Sequence, residues 1–205
     1  MENIALNNRD LPLLVLASTS PRRKELIQLL GLQVEVVSSS ADETVEMEWS
    51  PAETVEQLAL RKAAEVADAR KRKSAQEIVI GADTIVVCDQ QILGKPQDQD
   101  DAYHMLSMLQ GRAHDVYTGV ACIDMVTGQK VVRHRKTQVW MRPLSDDQIM
   151  RYIASGEPLD KAGAYGIQGR GAAIVDRIDG CYFTVVGLPI ALLSEMLSVY
   201  GVETP

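Results

Sequence analysis

The sequence predicts an α/β fold with a mixed sheet. Apolar runs of strand length alternate with helical patterns over nearly the whole chain, and one pair of runs is joined by a tight Thr127-Gly128 turn, which demands antiparallel pairing. At 205 residues and 46% hydrophobic the chain is long enough for one substantial core or two lobes sharing a cleft. Without repeats, low-complexity tracts or a Pro/Ser-rich linker, the expectation is a single domain over residues 1–205, with 1–12 as an N-terminal extension.

The strand-length runs are Leu13 to Ala17, Val34 to Val37, Ile78 to Val87, Val116 to Ile123 and Val131 to Met141. Between and after them, start signals place the helices. Ser20-Pro21 opens the first, which Gly31 closes. Ser50-Pro51 with Glu53 opens the second as a capping box. A third spans about Asp98 to Leu109, Ser145-Asp146-Asp147 caps one ending at Gly156, and a terminal helix follows Pro189.

The totals exclude several classes. No stretch reaches the roughly 18 to 20 apolar residues of a membrane span, and MENIALNNRD is too polar for a signal peptide, so the expected address is the cytoplasm. Cys88, Cys122 and Cys181 are widely spaced and odd in number, which suits three small core hydrophobes better than disulfides or a zinc knuckle. A net charge of -7 argues against a nucleic-acid polymer as partner, so any phosphate site is local. His104, His114 and His134 lack metal-ligand spacing and read as structural or exposed. Lys71-Arg72-Lys73 and Arg133 to Lys136 read as solvated surface.

Four places break the rules that the rest obeys. The first helix begins Ser20-Pro21-Arg22-Arg23, with two cations at the positive end of its dipole; the helices at Ser50 and Ser145 carry acids there. Free N–H groups beside two arginines, just after a strand ending at Ser18, form an anion site suited to phosphate, unless both arginines reach solvent or carboxylates. Lys62 falls inside the apolar stripe of Val55, Leu58, Ala59, Ala63 and Val66, where it either snorkels outward or meets an anion in a cleft. Asp83 interrupts the most strand-like segment, as if in a buried parallel strand where it needs a partner or a metal, unless it caps a local turn, with Gly81 supplying a bulge or a close backbone approach. A short turn around Asp89 to Gln91 would bring Gly94-Lys95-Pro96 back near Asp83. Finally, residues 160–171 hold four glycines, a loop expected to let backbone approach a ligand, and Gln168 within it carries the donors and acceptor that suit a uracil or thymine edge.

Taken together, STSPRR (18–23), ADE (41–43), ALRKA (59–63), GADT (81–84), GKP (94–96) and KAGAYGIQG (161–169) resemble the Maf family of nucleotide pyrophosphatases, from about Leu13 to Leu197. The resemblance implies an elongated mixed sheet with flanking helices, two lobes around a cleft as in inosine triphosphate pyrophosphatases, and often a homodimer. Arg22, Thr84 and Gln168 match the branch acting on dTTP and UTP; the branch acting on 7-methyl-GTP typically has Trp, Gln and Glu there. Carried onto this chain, the resemblance makes Asp83 general base and metal ligand, with sequence leaving open whether it deprotonates water or only binds the metal. Glu43 helps hold Mg²⁺ or Mn²⁺, and Ser18, Arg23, Lys62 and Lys95 bind phosphates. The product would be a nucleoside monophosphate plus pyrophosphate, including from modified pyrimidine nucleotides. The competing readings are a non-catalytic nucleotide sensor of cell division using the same cleft, and a pyrophosphatase for other modified nucleotides such as 7-methyl-GTP.

Overall fold

The computed structural model describes residues 11–70 and 76–204, so the N-terminal stretch 1–10 and the Lys71-Arg72-Lys73 cluster lie outside the described residues. Seven strands form one mixed sheet: β1 (Leu13–Ala17), β2 (Val34–Val37), β3 (Glu77–Cys88), β4 (Gln91–Leu93), β5 (Ala113–Asp124), β6 (Lys130–Met141) and β7 (Val175–Asp179). Their order is β2-β1-β3-β5-β6-β7, with β4 beside β3. The pairings β1–β2 and β1–β3 are parallel and the rest antiparallel. The helices are α1 (Pro21–Gln28), α2 (Pro51–Arg70), α3 (Gln99–Leu109), α4 (Asp146–Ile153), α5 (Tyr182–Val186) and α6 (Ile190–Ser198).

The start signals act as read. Ser20 caps α1, Asp98 caps α3, and Ser145 with Gln148 closes a full capping box on α4. Ser50 and Glu53 exchange the same reciprocal bonds at α2. Asp89 and Gln90 both take positive φ, 49° and 65°, the conformation a two-residue primed hairpin turn requires between β3 and β4.

β3 and β5 are 12 residues each, about 40 Å of strand. They run through two separate cores on one face of the sheet. Ile78, Ile80, Ala82, Val120 and Cys122 pack beneath α1 and α6, whereas Val86, Cys88 and Val116 pack beneath α3 and α4. A polar seam divides them: Thr84 and Thr118 share a hydrogen bond of 2.9 Å, and Thr118 Oγ1 donates to the Thr184 carbonyl at 2.7 Å. The two lobes are thus two cores strung on the same pair of strands.

The opposite face carries α2, whose Val55, Ala59, Ala63 and Val66 are buried. Two glycines let it sit against the sheet. A Cβ on Gly81 would lie 2.1 Å from the Ala59 carbonyl oxygen, and one on Gly119 would lie 2.2 Å from that of Val55. Gly81 therefore serves close backbone approach, and the β3–β5 register passes through it without a bulge.

Three expectations change. Asp83 is not in a parallel strand: β1 ends opposite Gly81, and the neighbour of Asp83 is Gly119 on antiparallel β5. Cys181 is half-buried rather than core, unlike Cys88 and Cys122, because it stands at the N-terminus of α5, its backbone tied to Thr137 Oγ1. The cluster 133–136 is largely ion-paired surface, with Arg133 and Arg135 facing Glu195, His134 facing Glu56 and Lys136 facing Asp115.

Because backbone atoms of α2 block any side chain at Gly119, Gly119→Ala should cost at least about 2 kcal/mol in urea unfolding. Gly94→Ala, where a Cβ meets nothing within 4 Å, should stay within about 0.5 kcal/mol of wild type.

Candidate active site

The site follows from how two strands end. β1 runs parallel to β3 and stops opposite Gly81; β4 runs antiparallel to β3 and stops with Leu93 opposite Val86. Their C-terminal ends thus approach each other along one edge of β3 and leave Ala82 to Ile85 without a strand partner on that side. Crevices outside carboxyl ends of strands are where α/β sheets bind ligands. Here the crevice is a cleft of about 510 Å³. Ser18 to Arg23 enter it from β1, Gly94 and Lys95 from β4, and Asp83 and Thr84 form its floor.

All of the residues singled out in the sequence, namely Ser18, Arg22, Arg23, Glu43, Lys62, Asp83, Thr84, Lys95 and Gln168, line this one cleft. Asp83 projects to the α2 face and Lys62 comes down from α2 to meet it, Nζ to Oδ1 at 2.6 Å. The same ammonium lies 2.6 Å from Glu43 Oε1. Lys62 therefore does not snorkel outward. Its side chain is 12% exposed and that of Asp83 11%, so the pair is largely shielded from water. The Lys62 hydrogen bond, opposed by partial burial, holds the Glu43 carboxyl below the usual carboxylate range.

Glu43 is carried by the loop between β2 and α2, and α2 itself steadies that loop. Arg61 donates to the Thr44 carbonyl at 2.7 Å and stacks over Trp49, while Glu65 accepts from Ser39 and Ser40. One helix thus carries the lysine and holds the loop of the acid that faces it.

Thr84 points to the other face of the sheet. Its hydroxyl accepts from Arg23 Nη2 at 3.0 Å, and Arg23 Nε donates to the Gly187 carbonyl at 2.7 Å. Burial lowers the Arg23 pKa, with Asp83 opposing the shift, yet a guanidinium remains charged throughout the physiological range. Arg22 reaches across the cleft mouth to Asp160 at 3.4 Å, so one of the two anomalous arginines does find a carboxylate. Lys95 is exposed on the rim. Lys161 also reaches Asp160, at 2.6 Å. The cleft lining accordingly carries Arg22, Arg23, Lys62, Lys95 and Lys161 against Glu43, Asp83 and Asp160, a local cationic excess in an acidic chain.

The glycine-rich segment lines the cleft through Tyr165, Gly166, Ile167 and Gln168, and its glycines also make room for the protein's own atoms. A Cβ on Gly163 would meet Val86, one on Gly166 the Lys161 side chain, one on Gly169 the Glu157 carboxylate, and one on Gly171 the Gly166 carbonyl and Tyr152 hydroxyl. These glycines admit the protein's own side chains and backbone. Sequence reasoning passed over Glu157, Tyr152, Asp160, Gly187 and the Thr118–Thr184 seam; none departs from its local pattern, and only the spacing Ser155-Gly156-Glu157-Pro158 hinted at a shaped turn. No group of three or more His, Cys, Asp or Glu able to hold a metal is found among the described residues. Nor is any helix among them long and apolar enough to cross a membrane.

A family model described as Maf-like protein matches residues 13–200. A dTTP/UTP pyrophosphatase of Desulforamulus reducens is 52% identical over 190 residues, 93% of this chain and 97% of that relative. A protein of the same name from Moorella thermoacetica is 51% identical over 190 residues, covering 93% and 96%. Among solved structures, the Staphylococcus aureus Ham1 protein aligns with 80% of this chain and 79% of its own, at 15% identity and a TM-score of 0.46.

Tyr165, on the cleft wall, is backed by buried His114, Nε2 to Oη at 2.6 Å. Burial, partly offset by Asp115, pulls the His114 pKa down to about 4. The folded protein thus binds fewer protons at His114 than the unfolded chain does below pH 6.5. Stability contributed by the neutral ring is complete above pH 6.5 and should decline by on the order of 3 kcal/mol as pH falls toward 4. Urea titrations across that window should show the slope in wild type and a shallower one in His114→Gln.

Proposed function

The chain belongs to the Maf family, and from that premise we propose that it is a nucleoside triphosphate pyrophosphatase acting on dTTP and UTP. The observation that carries the reading is the convergence on one cleft of the nine residues named above, drawn from six separated motifs, around the contact of Lys62 with both Asp83 and Glu43. Relatives named dTTP/UTP pyrophosphatase, about half identical and matched over nearly their whole length, support the same substrates.

In the proposed reaction water attacks the α-phosphorus, the bond from that phosphorus to the α–β bridging oxygen breaks, and pyrophosphate leaves with the nucleoside monophosphate as co-product. Asp83 accepts the proton of the attacking water. Arg23, Lys62 and Lys95, with Ser18 and the N-terminus of α1, neutralise the phosphates and orient the chain of anhydrides along the cleft. Arg22, Thr84 and Gln168 select the pyrimidine nucleotide.

A divalent cation fits the donor set. Glu43 and Asp83 each present an oxygen 2.6 Å from the same point, the Lys62 nitrogen, so two carboxylates already converge on one positive charge. Two carboxylates plus substrate phosphate oxygens are the donors Mg²⁺ or Mn²⁺ takes. When bound, the ion neutralises charge on the phosphates. With both carboxylates engaged by such an ion, the Lys62 ammonium would be available to phosphate oxygen instead.

We further propose that the chain works as one domain, residues 1–205 with 1–12 as an N-terminal extension, in the cytoplasm and as a homodimer. Three unpaired cysteines agree with a reducing compartment.

Purified protein should release pyrophosphate from dTTP and UTP in preference to purine triphosphates. Activity should vanish with EDTA and return with Mg²⁺ or Mn²⁺. Asp83→Asn should lose at least about 100-fold in kcat while keeping its melting temperature within a few degrees of wild type. Near-normal turnover in that variant would remove Asp83 from the reaction, and tight binding of UTP without any pyrophosphate release would favour a sensor.

A further inference from the structure

The segment holding Gln168 is fixed at both ends by one small network outside the cleft. On the near side, the Gly166 N–H donates to the Tyr152 hydroxyl at 3.1 Å. On the far side, the N–H groups of Arg170 and Gly171 donate to the Glu157 carboxylate at 2.9 and 3.0 Å. The Tyr152 hydroxyl in turn donates to Glu157 Oε1 at 2.9 Å, which joins the two ends into one unit. Between the clamps lie only Ile167, Gln168 and Gly169. Ile167 packs against the core beneath α1 and α6, and Gln168 lines the cleft.

The network is built into a rigid support. Tyr152 belongs to the buried face of α4 together with Ile149 and Ile153. Gly156, at φ 74°, turns the chain so that Glu157 follows directly. The glycines of the segment complete the fit. Gly169 leaves room for the Glu157 carboxylate, which a Cβ would approach to 2.7 Å, and Gly171 leaves room for the Tyr152 hydroxyl. A carboxylate accepting two backbone N–H groups and a phenol is held far more firmly than a solvated loop, since each charge-assisted bond is worth about twice a neutral one.

We infer that Glu157, with Tyr152, is the positioning residue that holds the base-reading segment 166–170 in place and thereby sets discrimination between nucleobases. Glu157 acts through Gln168 and its neighbours and does not itself line the cleft. The inference rests on the reading of the cleft as a nucleotide site. Misplacement of a recognition group by about 1 Å costs up to about 100-fold, so loosening the clamp impairs binding of the correct base while leaving the phosphate machinery around Asp83 intact.

The test compares kcat and KM for UTP and ATP in wild type, Glu157→Gln, Gln168→Ala and the double variant, with thermal melts alongside. Glutamine keeps the size of Glu157 but sets an amide donor against one backbone N–H. The expected result is a fall of about tenfold or more in the UTP-over-ATP ratio of kcat/KM for Glu157→Gln. The fall should come through KM for UTP with kcat changed less than about threefold. In the Gln168→Ala background the same substitution should add little, because both act through one contact. Tyr152→Phe, which removes only the hydroxyl, should lower the ratio in the same direction and carries the test if Glu157→Gln does not fold. A wild-type ratio in folded Glu157→Gln or Tyr152→Phe, an unchanged ratio in Gln168→Ala, or full additivity in the double variant would overturn the inference. Wild-type protein releasing no pyrophosphate from any nucleotide would instead overturn the reading beneath it.

Discussion

The rest of the site depends on one gap in the hydrogen-bonding of the sheet. β1 and β4 approach along the same edge of β3 from opposite ends and both stop short, so Ala82 to Ile85 face an opening instead of a strand. A residue there belongs to a rigid, 12-residue strand yet borders a cleft. That combination fixes a carboxylate in place while leaving it on the cleft floor. It also explains the cast of neighbours, since whatever follows β1 and β4 in the chain must enter the same opening. Ser18 to Arg23 follow the first and Gly94 to Lys95 the second.

The gap alone would leave Asp83 as a poorly solvated charge, which costs several kcal/mol unless paired. The pairing comes from the other layer. Gly81 and Gly119 allow α2 to lie against the strands, and Lys62 reaches Asp83 from that helix. A helix held off by side chains at those two glycines could not place the ammonium at 2.6 Å from both Asp83 and Glu43. Packing and electrostatics are therefore one requirement here, and the small residues of β3 and β5 position the charged ones.

Much of this was legible in the sequence, for identifiable reasons. The strands at Leu13–Ala17 and Val34–Val37 and the caps at Ser20, Ser50, Asp98 and Ser145 are local signals, decided by apolar runs and side-chain-to-backbone bonds that need no tertiary context. Arg22, Arg23, Lys62 and Asp83 stood out because each contradicts its own element, and such contradictions cost energy unless function or pairing offsets it. β7 was missed because VDRID is an edge strand with charged, exposed positions and no apolar run. α5 was missed because Tyr182 to Val186 are β-formers held helical by tertiary bonds, with Thr118 donating to Thr184 and Arg23 to Gly187 at its end. Glu157 was passed over since an acid after a helix terminus is ordinary, and only the fold brings residues 166–171 around it. The same loop borders the cleft at Gly166, Ile167 and Gln168, and its glycines also accommodate Glu157, Tyr152 and Lys161, a second demand that only the fold reveals.

The most direct test of the account is the ammonium at its centre. Lys62→Gln removes the charge shared by Asp83 and Glu43 while leaving α2 seated on Gly81 and Gly119. Steady-state release of pyrophosphate from UTP by this variant, with its thermal melt measured in parallel, should show kcat reduced by at least about 100-fold in a protein that remains folded. A folded Lys62→Gln protein with kcat close to wild type would contradict the claim that the gap in β3 gathers a phosphate-binding centre around this contact.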